Sequence, residues 1–261
     1  MDAGPASGAK PPKIMVIGAH AGDCEVMTGS VVAQHTAAGG EALYVHLTLG
    51  ERGHPSLPSD AYAAQKREEA NAAAEAVGAA VRILPYRDGD LMGDRATKEA
   101  VAEIIRDERP DIVITHWSGS FHRDHATCHE IVCDAVFYAG LADLWPDRRN
   151  HLVSALYFGE NWEDARGYRP DLYVDTTEGH ERWLRSLEAY ELFRGGLSSF
   201  AYARYYSALA VVRGAECGCA YAKTFAVPDE ARRVVVRGLD REIPLPVTTA
   251  ASIVVHPSEG R

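Results

Sequence analysis

Four apolar runs rich in β-branched residues recur along the first half of the chain, and a helical pattern follows each of them. The first run, Ile14 to Ala19, is apolar throughout, which is typical of a strand buried on both faces of a parallel sheet. Further runs span Ala42 to Gly50, Val81 to Tyr86 and Asp111 to Trp117. Strands that alternate with helices form βαβ units with right-handed crossovers. The sequence therefore predicts an α/β fold with a mostly parallel sheet between two layers of helices.

The segments after residue 155 continue this arrangement. Leu156 to Glu160 and Asp171 to Thr177 are predicted strands, and residues 180–193 are predicted to form one amphipathic helix. Beyond Ala231 the chain has an extended pattern, which predicts a small C-terminal β appendage. The inward face of the amphipathic helix is expected to carry Trp183, Leu184, Leu187 and Tyr190.

The chain has 261 residues, which is long for one domain and short for two. We predict a disordered lead-in over residues 1–12, one α/β domain over residues 13–230 and a C-terminal extension over residues 231–261. The lead-in lacks the apolar segment of a secretion signal. The five cysteines are an odd number, which argues against a disulfide framework. A cytoplasmic location with reduced thiols is therefore expected.

Charge and hydropathy limit the classes of partner. The formal net charge is −10, and no run of Lys or Arg interrupts it, so the chain would repel a polyphosphate backbone. Nucleic acid is therefore not an expected partner. No stretch approaches the roughly 18 consecutive apolar residues that a membrane span needs. We expect a small neutral or cationic substrate, and a homo-oligomer is compatible with the sequence.

Polar, chemically capable residues follow each of the four predicted strands. They are HAGD at 20–23, GERGH at 50–54, RDGD at 87–90 and HWSGSFHRDH at 116–125. In open α/β sheets, ligands bind outside the carboxyl ends of the strands. This coincidence predicts an enzyme whose active site lies at that edge.

Two of these clusters carry residues that bind metals. His20 and Asp23 are three apart in a strand-to-helix turn, where a sharp bend can direct both side chains to one point. Zinc takes imidazole nitrogens and carboxylate oxygens, and a catalytic site needs three protein ligands with one position left for water. His122, Asp124 and His125 form an H-x-D-H motif after the fourth strand, which lies next to the first strand or one removed in a doubly wound sheet. This motif is expected to supply the third ligand.

Less specific interpretations compete with a metal site. Asp23 alone is more often a helix N-cap, and a histidine at a strand end is more often a hydrogen-bonded structural residue. His129 forms an H-x-x-x-H pair with His125, but the Glu of the zinc proteases is missing from it, so we interpret His129 as a supporting or surface residue. Cys217 and Cys219 are a candidate metal pair, although a reduced structural role is favoured because no second pair accompanies them.

Taken jointly, these motifs resemble those of the PIG-L/LmbE-like N-deacetylases, which remove acetyl groups from N-acetylglucosamine conjugates and related amides. The resemblance covers roughly Lys13 to Phe225. It rests on GAHAGDCE against A-H-P-D-D-E in the family, on FHRDH against H-P-D-H, and on the segments LGERG, KREEANAAAEAVG, YRDGDL and RGAECGCAYAKTF. It implies a Rossmann-like fold and a metal-dependent hydrolase that acts on a small N-acylated substrate.

The resemblance also assigns the metal ligands and the catalytic residues. By position, His20, Asp23 and His125 are the ligands of a zinc ion, with another divalent metal as an alternative. His122 matches the histidine that stabilises the developing oxyanion or protonates the leaving amine. Asp124 matches the carboxylate that orients this histidine.

Three further residues match substrate-binding positions of the family. Asp88 matches a carboxylate in the sugar-binding region. Lys66 occupies the helix position at which the family usually has a substrate-contacting arginine, and Arg67 is adjacent to it. The contact from this helix is therefore assigned to Lys66 or Arg67.

One position departs from the pattern of the family. Gly22 stands where the family has the first Asp of D-D, its general base, and Cys24 stands where the family has Glu. A positioned base usually contributes about a hundred- to ten-thousand-fold in rate. Activity is therefore expected to be slow unless Glu25, Asp124 or His122 takes this role. An aspartate placed at residue 22 is expected to raise the rate.

Two other classes of function stay open at this stage. The missing base also fits a metal-binding pseudoenzyme or a small-molecule binding protein. A dinucleotide- or adenosylmethionine-dependent enzyme is weakly supported, because G-x-G-x-x-G is absent and His20 would have no purpose there. The absence of a G-x-S-x-G elbow and of a Walker-type loop weakens the serine-hydrolase and P-loop alternatives.

Overall fold

The computed structural model describes residues 10–232. Most of the predicted lead-in, residues 1–9, lies outside the described residues, as does the predicted β appendage from residue 233 onwards. The described residues up to Val227 form one compact unit, and the short segment after them contains a 3₁₀ turn at Asp229–Arg232. None of the helices in this described part is long and apolar enough to cross a membrane.

The strands within residues 10–232 form one seven-stranded sheet. They are β1 (Ile14–Gly18), β2 (Ala42–His46), β3 (Ala80–Ile83), β4 (Ile112–His116), β5 (Ala155–Gly159), β6 (Leu172–Asp175) and β7 (Ala222–Ala226). Their order is β3-β2-β1-β4-β5-β7-β6, parallel from β3 to β5 and antiparallel on both sides of β7. The predicted mostly parallel sheet is confirmed, and β4 pairs directly with β1.

Helices cover both faces of this sheet. They are α1 (Asp23–Ala37), α2 (Ser59–Val77), α3 (Arg95–Glu108), α4 (Arg123–Gly140), α5 (His180–Leu187), α6 (Glu191–Arg194) and α7 (Tyr202–Cys217). Alternate side chains of β1 point to opposite faces: Met15 and Ile17 pack with α3 and α4, whereas Ile14 and Val16 pack with α1 and α2. A strand covered on both faces has no solvent side, which explains its uninterrupted apolar run. The predicted three-layer α/β fold is confirmed.

One predicted helix is interrupted in the structure. Residues 180–193 form α5 and α6, with a break before Tyr190, whose backbone is extended (φ −88°, ψ 128°). The Tyr190 hydroxyl donates a hydrogen bond to buried Glu25 Oε1 at 2.7 Å. This tertiary contact favours the break over a continuous helix. On the predicted inward face, Trp183, Leu187 and Tyr190 are buried and Leu184 is half-buried.

Candidate metal centre and substrate cavity

The turn from β1 into α1 brings His20 and Asp23 to the carboxyl edge of the sheet. Gly22 has φ 110° in this turn, a conformation that glycine adopts without the strain a Cβ would cause. The bend lets the main-chain N–H of His20 donate to Asp23 Oδ2 at 2.7 Å. Gly22 is the N-cap of α1, so the interpretation of Asp23 as an N-cap does not hold.

The turn from β4 into α4 supplies the second group of side chains. His122 is the N-cap of α4, and its Nδ1 accepts a hydrogen bond from the main-chain N–H of Asp124 at 3.3 Å. His125 lies in the first turn of the helix and is buried. Because β4 is the direct neighbour of β1, the two turns meet at adjacent strand ends.

Three side-chain atoms from these turns form a nearly equilateral triangle. Nδ1 of His20 lies 3.3 Å from Nε2 of His125 and 3.3 Å from Oδ2 of Asp23. Nε2 of His125 lies 3.4 Å from the same Asp23 oxygen. A tetrahedral zinc ion with bonds of about 2.0–2.2 Å separates its ligand atoms by roughly 3.3–3.6 Å. Both the donor set and its spacing therefore fit zinc.

His116, the last residue of β4, is a neighbour of this triangle that the sequence analysis missed. Its Nε2 lies 3.2 Å from Asp23 Oδ2 but accepts a hydrogen bond from the main-chain N–H of Ala19 at 3.1 Å. Its ring stacks on that of His125, with centroids 4.1 Å apart. Burial and the charge of His125 lower the pKa of His116 to about 4. His116 is therefore a neutral supporting residue whose Nε2 lone pair is already used.

Two carboxylates face the other ring nitrogen of His20. Asp124 Oδ2 and Asp88 Oδ1 each lie 3.3 Å from His20 Nε2, and the Gly89 N–H donates to Asp124 Oδ2 at 2.7 Å. A hydrogen on Nε2 leaves the Nδ1 lone pair directed at the triangle. This corrects the expected role of Asp124, because its carboxylate contacts His20, whereas His122 is contacted by the Asp124 main chain.

The electrostatics of the triangle favour a cation. Burial alone would lower the pKa of His125, but the charge of Asp23 and the contacts with Asp23 and Glu163 together raise it to about 9. Burial alone would also lower the pKa of His20, but its hydrogen bonds to Asp124 and Asp23 raise this pKa well above its usual range. Burial alone would raise the pKa of Asp23, yet the positive charge of His125 and the contact with His116 hold it well below its usual range. Protonated His20 and His125 thus balance the negative charge of Asp23, and a divalent cation between these residues would balance it equally.

A cavity of about 360 Å³ opens beside the triangle. One wall carries the predicted metal ligands and His122, and the other is mostly aromatic and aliphatic. Among the lining residues, three carboxylates, of Asp23, Asp88 and Glu163, face one lysine, Lys66, and no arginine. The apolar wall consists of Val26, Tyr62, Trp162, Leu192, Phe193, Leu197, Tyr202 and Tyr206.

The structure separates the predicted substrate-binding residues. Lys66 lines the cavity, but its Nζ donates to the Ala21 carbonyl at 2.6 Å and lies 4.6 Å from the centre of the Tyr190 ring. Burial lowers the pKa of Lys66. Asp88 also lines the cavity, whereas Arg67 is exposed on α2 and does not. The amine of Lys66 therefore holds the β1–α1 turn, and Arg67 lies away from the site.

The three residues considered as a replacement base differ in access to this cavity. Glu25 is fully buried against Tyr190 and does not line it, and Asp124 faces His20. His122 does line it, and burial followed by the charge of neighbouring His125 lowers the pKa of His122. Because Nδ1 accepts the capping bond, neutral His122 carries its hydrogen on Nε2. His122 is thus arranged as a hydrogen-bond donor.

Two other groups that the sequence singled out lie outside the cavity. His129 Nδ1 is 2.9 Å from the carbonyl oxygen of His116. Cys217 and Cys219 lie at the end of α7 with their sulfur atoms 3.5 Å apart. None of these three residues is among the lining residues.

The structure changes the expected effect of an aspartate at residue 22. A Cβ on Gly22 would lie 3.0 Å from Cζ of Phe193 and 3.9 Å from Nζ of Lys66, and φ is 110°. Backbone strain of this kind costs about 1–3 kcal/mol, and the new carboxylate would pair with the Lys66 ammonium. We predict that Gly22→Asp lowers the free energy of unfolding by about that amount, measured in urea, without raising turnover.

Gly22→Ala is the matched control for this prediction. It adds the same Cβ without a carboxylate, so it should lose similar stability, and the loss should be smaller when Gly22→Ala is made in a chain that already carries Phe193→Ala. If Gly22→Asp kept the stability of the original chain and cleaved substrate faster, the steric account of residue 22 would be wrong.

Comparisons with known proteins agree with this arrangement. The sequence profile of the family described as "PIG-L: GlcNAc-PI de-N-acetylase" matches residues 15–136, which include both metal-site turns. A 1D-myo-inositol 2-acetamido-2-deoxy-alpha-D-glucopyranoside deacetylase of Catenulispora acidiphila is 30% identical over 186 residues. Over residues 15–136, somewhat less than half of its length, the chain is similar to the PIG-L family. The match to the Catenulispora acidiphila deacetylase covers 58% of the chain and spans only about three fifths, 61%, of that relative's length.

Two further similar proteins have names that describe different activities. A 4-oxalmesaconate hydratase of Pseudomonas putida is 25% identical over 77% of this chain and 80% of its own length. The solved structure of an N,N'-diacetylchitobiose deacetylase from Pyrococcus horikoshii has a TM-score of 0.74 and 21% identity, and the match covers 88% of each chain. The structural likeness establishes a common fold, and the relatives include both hydrolases and a hydratase.

Proposed function

We propose that this chain is a member of the PIG-L family and a zinc-dependent N-deacetylase that acts on an N-acylated amino sugar or a related small metabolite. The observation that carries the proposal is the triangle of His20 Nδ1, Asp23 Oδ2 and His125 Nε2, with edges of 3.3–3.4 Å beside the cavity. Zinc bound there supplies a Lewis acid that polarises an amide carbonyl and makes water a better nucleophile at neutral pH. Another divalent metal would serve the same purpose.

The chain's own residues perform the remaining steps of the proposed reaction. The capping bond at Nδ1 directs the Nε2 hydrogen of His122 towards the reacting carbonyl oxygen, where negative charge develops. The attacking water loses one proton and the leaving amine gains one, so the cleavage balances without removing the hydrogen from neutral His122. Asp124 and Asp88 keep His20 in the tautomer that presents Nδ1. The aromatic and aliphatic lining residues offer an apolar surface to the substrate.

The charge of the cavity supports a neutral or cationic substrate. Lys66 is the single lysine among the described lining residues, against three carboxylates, and its amine is already bonded to the Ala21 carbonyl. An uncharged N-acetyl sugar avoids repulsion from Asp88 and Glu163, and its amine product is attracted by them. A cytoplasmic location and a homo-oligomer stay predictions.

A hydratase is the second candidate. Residue 22 is a glycine, whereas the deacetylase motif has an aspartate at this position. The match to a hydratase relative also covers 77% of the chain. Its substrate, by name, is a carboxylic acid. Among residues 10–232, the residues that line the cavity include no arginine to receive such an anion. The deacetylase is therefore favoured.

A substrate panel tests the two candidates against each other. The zinc-loaded chain would be incubated with N-acetylglucosamine conjugates and diacetylchitobiose, with free amine measured, and separately with 4-oxalmesaconate, with loss of its absorbance measured. We expect amine release that stops when a chelator removes the metal. Hydration without amine release would establish the second candidate. Metal binding with neither reaction would support the pseudoenzyme alternative.

A further inference from the structure

Glu163 is a buried carboxylate beside the metal ligands that the sequence analysis did not single out. It follows β5, lines the cavity, and places Oε2 at 2.8 Å from Nδ1 of His125. The side chain of Glu163 is 11% exposed and that of His125 is 4% exposed. The contact is therefore largely shielded from water.

The two ring nitrogens of His125 face different partners. Nε2 faces His20 and Asp23 in the triangle, and Nδ1 faces Glu163. A carboxylate at one imidazole nitrogen fixes the hydrogen there and leaves the lone pair of the other nitrogen for a metal. Ser120 Oγ also lies 3.4 Å from Nδ1 and meets hydrogen-bond geometry there, whereas Glu163 Oε2 makes a shorter ion-pair contact that does not. A neutral hydroxyl nevertheless interacts more weakly with an imidazole than a carboxylate does.

Neighbouring contacts hold Glu163 in this place. Its carbonyl oxygen accepts a hydrogen bond from the Phe121 N–H at 3.0 Å, which joins the loop after β5 to the loop that leads into α4. Its own N–H donates to Asn161 Oδ1 at 3.4 Å, and that oxygen also accepts from the Tyr206 hydroxyl at 2.6 Å. The segment is thus tied to both His125 and the wall of the cavity.

We infer that Glu163 is a positioning residue that orients His125 for metal binding. Because it lies at Nδ1, across the imidazole ring from the triangle, it acts through His125 and does not replace the missing base at residue 22. Glu163 holds the ring of His125 with Nε2 directed at the triangle, as Asp124 and Asp88 hold the ring of His20 with Nδ1 directed at it. The inference rests on the proposed metal site, and it adds a residue whose partner comes from a different strand end.

The test is zinc affinity of the full chain, measured by competition with a chromophoric chelator and without substrate. Glu163→Gln removes the charge but keeps the size of the side chain, and we expect zinc binding about 10- to 100-fold weaker. The unfolding midpoint of the metal-free variant should stay close to that of the original chain. Glu178→Gln, an exposed change of the same charge, should leave zinc affinity unchanged.

An affinity of Glu163→Gln equal to that of the original chain or of Glu178→Gln would overturn the inference. If Glu163→Gln does not fold, Glu163→Asp decides, because its shorter side chain withdraws the carboxylate from Nδ1: weaker zinc binding supports the inference, and unchanged binding overturns it. Zinc binding that depends on Glu163 without amine release would leave the inference standing and the proposed deacetylase wrong. Amine release by the original chain, together with unchanged zinc affinity in Glu163→Gln, would support the proposed deacetylase and overturn the inference about Glu163.

Discussion

Replacing His20 or His125 with alanine is expected to abolish stoichiometric zinc binding while the fold persists. Each supplies one corner of the triangle, and two remaining ligands do not form a catalytic zinc site. The site lies at the ends of β1 and β4, outside the main apolar clusters of the sheet, so its loss should not unfold the chain. Metal content by mass spectrometry and far-UV circular dichroism measure the two effects.

His129→Ala is the control for this pair of variants. His129 is four residues after His125 on α4, but it contacts the main chain of His116 and does not line the cavity. It should keep the zinc content of the original chain. Zinc retained in both His20→Ala and His125→Ala, or lost to the same degree in His129→Ala, would contradict the assignment of ligands.

His122→Asn is expected to lower turnover by about 100- to 1,000-fold, which is typical of losing one oxyanion donor. Asparagine is among the preferred N-caps, so it can replace the capping bond to the Asp124 N–H and keep α4 intact. Its shorter side chain cannot place a donor where Nε2 lies. The rate of amine release at saturating substrate measures the effect.

Zinc content separates this role from metal binding. His122 lies near His20 and His125, and the three rings offer nitrogens close enough to share a metal. If His122 is a donor and not a ligand, His122→Asn keeps one zinc ion per chain. Full turnover in the variant would remove His122 from the reaction, and loss of zinc would make it a ligand.

The sequence was sufficient for the layers and for the position of the site. The apolar run at Ile14 to Ala19 required cover on both faces, and parallel strands bring their carboxyl ends to one edge. The convergence of His20 and Asp23 with His125 followed from these two facts and from the resemblance. The proximity of His20 and Asp23 depends only on their spacing in one tight turn, so it could be predicted from the sequence.

The contacts that could not be predicted from the sequence are made by residues that lie far apart along the chain. Asp124 contacts His20, 104 residues away, because the loop after β3 donates the Gly89 N–H to its carboxylate. Glu163 reaches His125 from the loop after β5, a segment in which the sequence analysis identified no functional motif. The steric limit at Gly22 depends on Phe193, which α6 places there. Tertiary packing determines each of these partners.

The measurement that tests the metal centre most directly is an anomalous difference map at the zinc edge from crystals of the zinc-loaded chain. The account predicts one peak per chain at about 2.0–2.2 Å from His20 Nδ1, Asp23 Oδ2 and His125 Nε2. A peak on the opposite side of His20, between Asp88 and Asp124, or no peak in this cavity, would contradict it.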